Sequence, residues 1–292
     1  MATLVDRLSN AMNKSGYKVD ASDAKLAPIM SKLQYLSGKA RFGKLLRDLF
    51  ACNDNSNLHS LLFEVIFAWH FEIKCKHLVY EKAQQQPNRT TIDFLYEYSQ
   101  DTHIYYELRV VQEQAKITEQ IEDQLRNSKE FKLVLNGGSY DQNEVIRLQQ
   151  ILLNKVQDRE GTPVKFFSTT LPNYNILVVD VSQPLLGSID RYDCLLCCYG
   201  DEAVSQVYRR GVFGLFQSPG KSDPGCFDHI YNKFNHIRTM IHGILFMRRQ
   251  PKSNPINYDL QYYFVPNRHI LSEKLYNIIL AIANEVFGPW QE

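Results

Sequence analysis

Two acidic residues in neighbouring strand-like segments have the types and the spacing that metal-dependent chemistry needs. Segments 91–98 and 104–111 alternate apolar and polar residues and predict a β-hairpin, with Asp93 in the first strand and Glu107 in the second. An odd-length connection between the strands would place Asp93 opposite Glu107. The two carboxylates, with a backbone carbonyl such as that of Leu108, then form the all-oxygen ligand set that Mg²⁺ or Mn²⁺ prefers.

Three further residues complete the candidate catalytic group. Glu64 is the lone acid in the apolar run 58–71, which predicts a buried helix, and a shared metal would satisfy a carboxylate that is costly to bury unpaired. Arg109 shares a strand face with Glu107, because residues two apart in a strand point the same way. Gln112 lies just beyond them. The alternative is a plain ion pair between Glu107 and Arg109 on the solvent face of an edge hairpin.

The elements that must position these residues follow one another in an α/β order. Residues 1–58 place apolar side chains at helical spacing and predict an N-terminal helical extension. Further patterns predict helices at 117–129, 143–158 and 271–287 and strands at 175–181, 194–199, 241–247 and 260–265. The sequence therefore predicts an α/β domain over residues 59–292, with a mixed central sheet flanked by helices.

A glutamate on a helix, an aspartate in the first hairpin strand and an acidic-x-basic triplet in the second strand occur here in that order. This set resembles the PD-(D/E)xK nuclease superfamily, whose fold is restriction-endonuclease-like; the resemblance is close over residues 59–115 and looser to about residue 265. It implies that Asp93 and Glu107 bind Mg²⁺ or Mn²⁺, that Glu64 is an auxiliary ligand, and that a metal-activated water cleaves a phosphodiester. Ile92 stands where the family name has Pro, a frequent variation.

Arg109 stands where the family has lysine, and this departure leaves two functions open. A lysine can shift its pKa and help to deprotonate water, whereas a guanidinium stays charged and can only orient water or stabilise phosphate charge. One function is a Mg²⁺-dependent endonuclease acting on DNA, with RNA as the second choice, in which Arg109 is an electrostatic clamp. The other is a catalytically decayed nuclease-like fold that binds nucleic acid or protein.

The charge of the chain is balanced overall but basic in two segments. Lys and Arg number 33 against 32 Asp and Glu, a net charge of +1. Residues 1–50 carry nine basic and four acidic side chains, and residues 205–252 carry eight basic and two acidic ones with aromatic residues between them. These segments predict contact with nucleic acid through its phosphates, and solvated surface is the alternative.

The cysteines and the apolar runs predict a cytoplasmic protein without a membrane span. Six cysteines in 292 residues are too sparse for a disulfide scaffold, and no secretory pattern occurs at the N-terminus. Cys194 and Cys197, with Cys226 and His229, have the spacing of a zinc site. A strand at 194–199 would turn the first two cysteines to opposite faces, so we favour packed thiols over a zinc-stabilised interaction protein.

Overall fold

A seven-stranded mixed sheet lies between two layers of helices, which confirms the α/β class expected from the sequence. The computed structural model describes residues 3–83, 91–112, 141–166, 169, 172–182, 189–218, 229, 232–250 and 258–291. The strands are β1 (Leu78–Ala83), β2 (Thr91–Ser99), β3 (Thr102–Val110), β4 (Asn173–Asp180), β5 (Gly243–Arg249), β6 (Leu260–Pro266) and β7 (Gly288–Pro289). The helices are α1 (Leu4–Lys14), α2 (Ala27–Ser37), α3 (Gly43–Ala51), α4 (Asn55–Glu72), α5 (Asp141–Val156), α6 (Arg191–Tyr199), α7 (Asn235–Met240) and α8 (Glu273–Val286).

The strands lie in the sheet in the order in which they follow along the chain. Strands β1, β2 and β3 are antiparallel, and a two-residue turn joins β2 to β3. Strands β3, β4 and β5 are parallel, with α5 between the first two and α6 and α7 between the second two. The carboxyl ends of these three strands therefore meet at one edge of the sheet, which we call the carboxyl edge.

Each face of the sheet has its own hydrophobic core. Helices α1 to α4 and α8 cover one face, where Phe67 of α4 packs against Phe94 and Tyr106 of the hairpin. Helices α5, α6 and α7 cover the other face, where Val179 and Phe246 lie fully buried. Because side chains alternate along β3, Tyr106 enters the first core and the neighbouring Glu107 faces the second layer.

The expected strand at 194–199 is wrong, because this segment is the helix α6. Asp190 and Asp193 form a capping box that starts the helix, with each side chain accepting the backbone N–H of the other residue. Helix α6 is buried on several sides, and a short, uniformly apolar run does not distinguish a buried helix from a buried strand. Strand β1 was not predicted, since its sequence carries Glu81 and Lys82 where an apolar alternation would continue.

The other elements expected after residue 140 are confirmed within a few residues, whereas the helix expected at 117–129 lies outside the described residues. The boundary between residues 58 and 59 stays a prediction. Helix α4 begins at Asn55, and α1, α2 and α3 share one core with it. No helix in the described ranges has both the length and the hydropathy needed to cross a bilayer.

Candidate active site

Asp93 and Glu107 come directly after the last residue pair of the β2–β3 ladder. That pair is Phe94 and Tyr106, and the charge of Glu107 acts on Asp93. The turn has two residues rather than an odd number, and a bulge near the end of β2 supplies the extra residue that this register needs. Asp93 Oδ2 accepts the backbone N–H of Leu108 at 2.7 Å, which fixes the carboxylate against β3.

Two lysines reach Glu107 from outside the hairpin. Glu107 is 0% exposed, and its Oε1 accepts hydrogen bonds from Lys155 Nζ and Lys165 Nζ, each at 2.6 Å. Lys155 lies on the last turn of α5, and Lys165 lies in the connection to β4. The second oxygen, Oε2, is buried and has no hydrogen-bond partner among the described residues. A buried carboxylate oxygen without a partner is costly, so this atom marks a place where a cation would be stabilised.

Glu64, on helix α4, is a third acid, on whose charge Asp93 and Glu107 both act. Its Oε2 accepts a hydrogen bond from the Tyr80 hydroxyl of β1 at 3.0 Å. Burial raises the pKa of Glu64 well above its usual value, and the carboxylates of Asp93 and Glu107 raise it further. We call Glu64, Asp93 and Glu107 the acid cluster, because their charges act on one another.

The pKa of Asp93 is also raised, to about 7. Burial is the largest cause, and repulsion from the Glu107 carboxylate is the second; Lys155, Lys165 and the Leu108 N–H offset only part of both. The pKa of Lys155 is raised, because the carboxylates of Glu107 and Asp93 outweigh the burial of its ammonium group. Carboxylates that repel one another and an ammonium that stays charged are typical of catalytic sites, although structural ion pairs also perturb pKa values.

Backbone strain is concentrated around the same residues. Glu81 has a φ of +48°, and the β1–β2 register places it opposite Asp93. Phe166 has a φ of +88° and directly follows Lys165. Left-handed backbone is uncommon for residues other than glycine, asparagine and aspartate, and such strain clusters at functional sites. Two of the three left-handed non-glycine residues in the described chain thus adjoin the acid cluster.

The donor atoms of the acid cluster fit a hard divalent cation in chemistry, although the cluster is not a complete cage. Within the ranges that the structure describes, no three His, Cys, Asp or Glu side chains are arranged to hold a metal ion. Asp93 and Glu107 supply two carboxylates, and the unpartnered Oε2 of Glu107 is the donor atom that the protein leaves unsatisfied. Mg²⁺ is usually held by one or two carboxylates and keeps several water ligands, so two carboxylates meet its requirement.

Arg109 and Gln112 are placed differently from the acid cluster. Arg109 is exposed, and the partners of Glu107 are Lys155 and Lys165, so the alternative of an ion pair between Glu107 and Arg109 on an edge hairpin is wrong. The reason is that β3 is an interior strand and the flanking α5 layer supplies the cations. The Gln112 side chain donates to the Ser56 carbonyl at 3.2 Å, at the start of α4.

Three of the nine basic side chains in the first basic segment are paired inside the protein. Lys39 and Arg41 contact the buried Glu72, and Lys44 contacts Glu81. The Lys44 contact joins this segment to strand β1.

The second basic segment is likewise partly neutralised. Arg210 pairs with Asp193, and Arg249 makes two hydrogen bonds to the buried Asp180, at 3.0 and 2.7 Å. Residues 221 and 252, which contribute two of its lysines, lie outside the described residues. Among its remaining cations, Arg209 is exposed and Arg248 half-buried.

The cysteines of the zinc alternative are buried thiols. Because α6 is a helix, Cys194 and Cys197 lie on one side of it, so the argument from a strand that set them on opposite faces is wrong. Both are 0% exposed and free, whereas His229 is exposed and residue 226 lies outside the described residues. Burial raises the pKa of Cys194 well above its usual value, which opposes the thiolate form that zinc requires.

The lysines and the tyrosine of the site were missed by sequence reasoning. Lys155 and Lys165 lie 48 and 58 residues beyond Glu107, and Tyr80 lies 16 residues beyond Glu64. No local spacing links them to the hairpin, since the fold alone brings α5, the β4 connection and β1 to the same point. The lone lysine near the end of the amphipathic α5 was the one available signal.

Comparison of the chain with protein-family models, with curated proteins and with solved structures gives no match. The functional conclusion therefore rests on the geometry and electrostatics of the acid cluster and its lysines.

Proposed function

We propose that this protein is a divalent-metal-dependent nuclease that hydrolyses phosphodiester bonds in nucleic acid, with DNA favoured over RNA. One observation carries the proposal: Asp93 and Glu107 interact at the end of the β2–β3 ladder, and Glu107 keeps one buried oxygen unpartnered while two ammonium groups hold the other. This arrangement agrees with the pattern of the PD-(D/E)xK superfamily, in which acids from a hairpin and a preceding helix meet. The five described cysteines are free thiols, which supports a cytoplasmic location for this activity.

The acid cluster would hold Mg²⁺ or Mn²⁺ through Asp93 and Glu107. Glu64 is the auxiliary acid, and the backbone carbonyl of Leu108 is a further candidate donor. A bound divalent ion would lower the pKa of a water molecule and polarise the phosphoryl oxygens. The Leu108 N–H keeps the Asp93 carboxylate fixed, so that the site is ordered before the ion arrives.

The lysines orient Glu107 and balance its charge. By holding Oε1, Lys155 and Lys165 leave Oε2 as the atom that can face a cation. Each lysine side chain keeps between 22% and 23% of its surface exposed, so their ammonium groups can also meet the phosphate of a substrate. An ammonium group at this point stabilises the negative charge that develops on a phosphate during cleavage.

Arg109 has a separate task in this proposal. It lies on the same strand face as Glu107 and is exposed, so its guanidinium can contact a phosphate next to the acid cluster. Because a guanidinium stays protonated, Arg109 can bind and stabilise a phosphate but cannot take a proton from water. The lysine that the family has at this position is thus replaced in space by Lys155.

The proposal is tested by incubating the purified chain with supercoiled plasmid, single-stranded DNA and RNA in Mg²⁺ or Mn²⁺, with EDTA as the control. We expect metal-dependent cleavage that Asp93→Asn abolishes. Glu97→Gln, an exposed carboxylate on the same strand, is the matched control and should cleave as the wild type does. Absence of cleavage of every substrate in both metals would overturn the nuclease function and leave the non-catalytic binding module as the conclusion.

A further inference from the structure

Two acids of the acid cluster are attached to the protein in the same way. Asp93 is held through Oδ2 by the Leu108 N–H, and Glu107 is held through Oε1 by Lys155 and Lys165. In each case the other carboxylate oxygen receives no hydrogen bond from the residues that the structure describes. The protein thus fixes each carboxylate at one oxygen and leaves the second oxygen for another partner.

Glu64 is attached in this way too, and Tyr80 is the residue that attaches it. The Tyr80 hydroxyl donates to Glu64 Oε2 at 3.0 Å. No other hydrogen bond reaches the Glu64 carboxylate from the described part of the chain, so Oε1 has no partner there. Tyr80 therefore fixes Glu64 as the two lysines fix Glu107.

The Tyr80 hydroxyl matters more to Glu64 than a single hydrogen bond usually does. Glu72 and Glu107 each contact basic side chains, whereas no lysine, arginine or histidine of the described chain forms an ion pair with Glu64. A glutamate carboxylate follows several rotatable bonds, so it has many orientations unless a partner selects one. For Glu64 that partner is the Tyr80 hydroxyl.

The Tyr80 ring is itself held by the strand that carries Asp93. The β1–β2 register pairs Tyr80 with Phe94, and their ring centroids lie 5.4 Å apart. Phe94 directly follows Asp93 in the chain. Because a tyrosine has only two side-chain torsions, a packed ring gives its hydroxyl a well-defined position. The hydroxyl is therefore placed relative to the hairpin as well as to α4.

The backbone of β1 is strained directly after Tyr80. Glu81 has a φ of +48°, in the left-handed region that side chains with a Cβ rarely adopt. Such strain persists only where the surrounding structure over-determines it, and it clusters at functional sites. The strain is thus an observation, independent of the hydrogen bond, that associates this part of β1 with the site.

We propose that Tyr80 is a positioning residue for the proposed metal site. Its hydroxyl fixes Glu64 through Oε2 and leaves Oε1 for the divalent ion or for one of the water ligands of that ion. The inference rests on the proposed function, because it assigns how the auxiliary acid is oriented. Tyr80 acts through Glu64 and contacts neither the ion nor the substrate.

The test measures Mn²⁺ affinity without nucleic acid, by isothermal titration at pH 8. Tyr80→Phe removes only the hydroxyl oxygen and keeps the ring against Phe94, so the variant should fold. Its dissociation constant for Mn²⁺ should be about tenfold higher than that of the wild type, as is usual when the hydrogen-bond partner of a metal ligand is removed. The Mn²⁺ concentration for half-maximal cleavage should rise by the same factor, whereas the rate at saturating Mn²⁺ should stay within about twofold of the wild type.

A double-mutant cycle separates positioning from a general effect on the fold. Glu64→Leu removes the carboxylate through which Tyr80 acts and keeps an apolar side chain of similar size on α4. In the Glu64→Leu background, Tyr80→Phe should change the Mn²⁺ dissociation constant by less than about twofold. An equal effect in both backgrounds would show that Tyr80 does not act through Glu64, and it would overturn the inference.

Tyr262→Phe is the matched control. Tyr262, like Tyr80, lies on a strand and donates its hydroxyl to a helix side chain, here that of Asn284 on α8. Its strand β6 is separated from the hairpin by β4 and β5. The variant loses a hydrogen bond of the same kind but should change the Mn²⁺ dissociation constant by less than about twofold. Thermal melting must show that each variant is folded.

The inference is overturned if folded Tyr80→Phe binds Mn²⁺ as tightly as the wild type, or if Tyr262→Phe weakens binding equally. The proposed function is judged separately, by cleavage. A wild type that binds Mn²⁺ more tightly than Tyr80→Phe but cleaves nothing would refute the nuclease alone. A wild type that cleaves, with unchanged Mn²⁺ affinity in Tyr80→Phe, would refute the role of Tyr80 alone.

Discussion

Lys155 Nζ donates to Glu107 Oε1 at 2.6 Å, across 48 residues of sequence and from a helix onto an interior strand. The resemblance to the nuclease superfamily directs attention to the residue two after Glu107, which is Arg109. In the folded chain the ammonium group beside the acids comes from α5 instead. The site therefore contains a lysine in space, although the triplet does not contain one in sequence.

Lys155→Ala should reduce cleavage by roughly 10²-fold, as is usual when a donor that stabilises transition-state charge is lost. Initial rates of plasmid nicking in Mn²⁺ measure this effect. Lys274→Ala, which changes an exposed lysine on α8, should leave the rate unchanged. A folded Lys155→Ala protein with the wild-type rate would remove Lys155 from the site.

Arg109→Ala should also reduce cleavage, because the exposed guanidinium stabilises phosphate charge in our proposal. Arg109→Lys should retain most of the rate, since the task needs a positive charge and no proton transfer. The two variants should differ in rate but not in stability, because the ion pairs of Glu107 involve other residues. Equal stability and equal rates in wild type and Arg109→Ala would show that Arg109 does not contact the substrate.

The raised pKa of Asp93 makes stability depend on pH. In the unfolded chain this carboxyl titrates near 3.8, and in the folded protein near 7. Its favourable contribution to the free energy of unfolding is therefore complete below pH 3.8 and is lost as the pH rises through 7. Urea unfolding in EDTA measures this effect. Between pH 5 and pH 8, the free energy of unfolding of the wild type should fall by at least about 1 kcal/mol more than that of Asp93→Asn.

Divalent metal should reverse that loss. An ion binds the ionised carboxylates, so Mn²⁺ should stabilise the wild type more at pH 8 than at pH 5 and should have little effect on Asp93→Asn. For the same reason cleavage should increase as the pH rises through about 7. A stability profile that is the same for wild type and Asp93→Asn would contradict the coupling of Asp93 to Glu107.

Glu72 should contribute to stability without contributing to cleavage. Its side chain is fully buried, accepts the Leu78 N–H at 3.1 Å and contacts Lys39 and Arg41, so it joins α4 to β1 and to the segment that precedes α3. Glu72→Ala should lower the free energy of unfolding by about 3 kcal/mol. Glu285 has an exposed carboxylate that pairs with Lys76. Glu285→Gln should therefore lower the free energy of unfolding by less than about 1 kcal/mol. Equal losses would contradict this role of Glu72.

Strand parity and helical spacing predicted the part of the site that is local in sequence. The alternation around Asp93 and Glu107 predicts the hairpin that carries both carboxylates, and the lone acid in the apolar run 58–71 signals Glu64. The turn and its bulge could not be predicted, because parity allows a loop and a bulge to substitute for one another. Lys155 and Lys165 could not be predicted either, since their approach depends on how α5 crosses the sheet.

The claim that Asp93 and Glu107 act through a shared divalent ion is tested most directly by measuring Mn²⁺ binding and plasmid cleavage in the same protein preparations. Isothermal titration at pH 8 should show Mn²⁺ binding by the wild type and by Glu97→Gln, and both should cleave. Asp93→Asn and Glu107→Gln should lose binding and cleavage together. Undiminished Mn²⁺ binding by folded Asp93→Asn, or cleavage by wild type that EDTA does not stop, would contradict the claim.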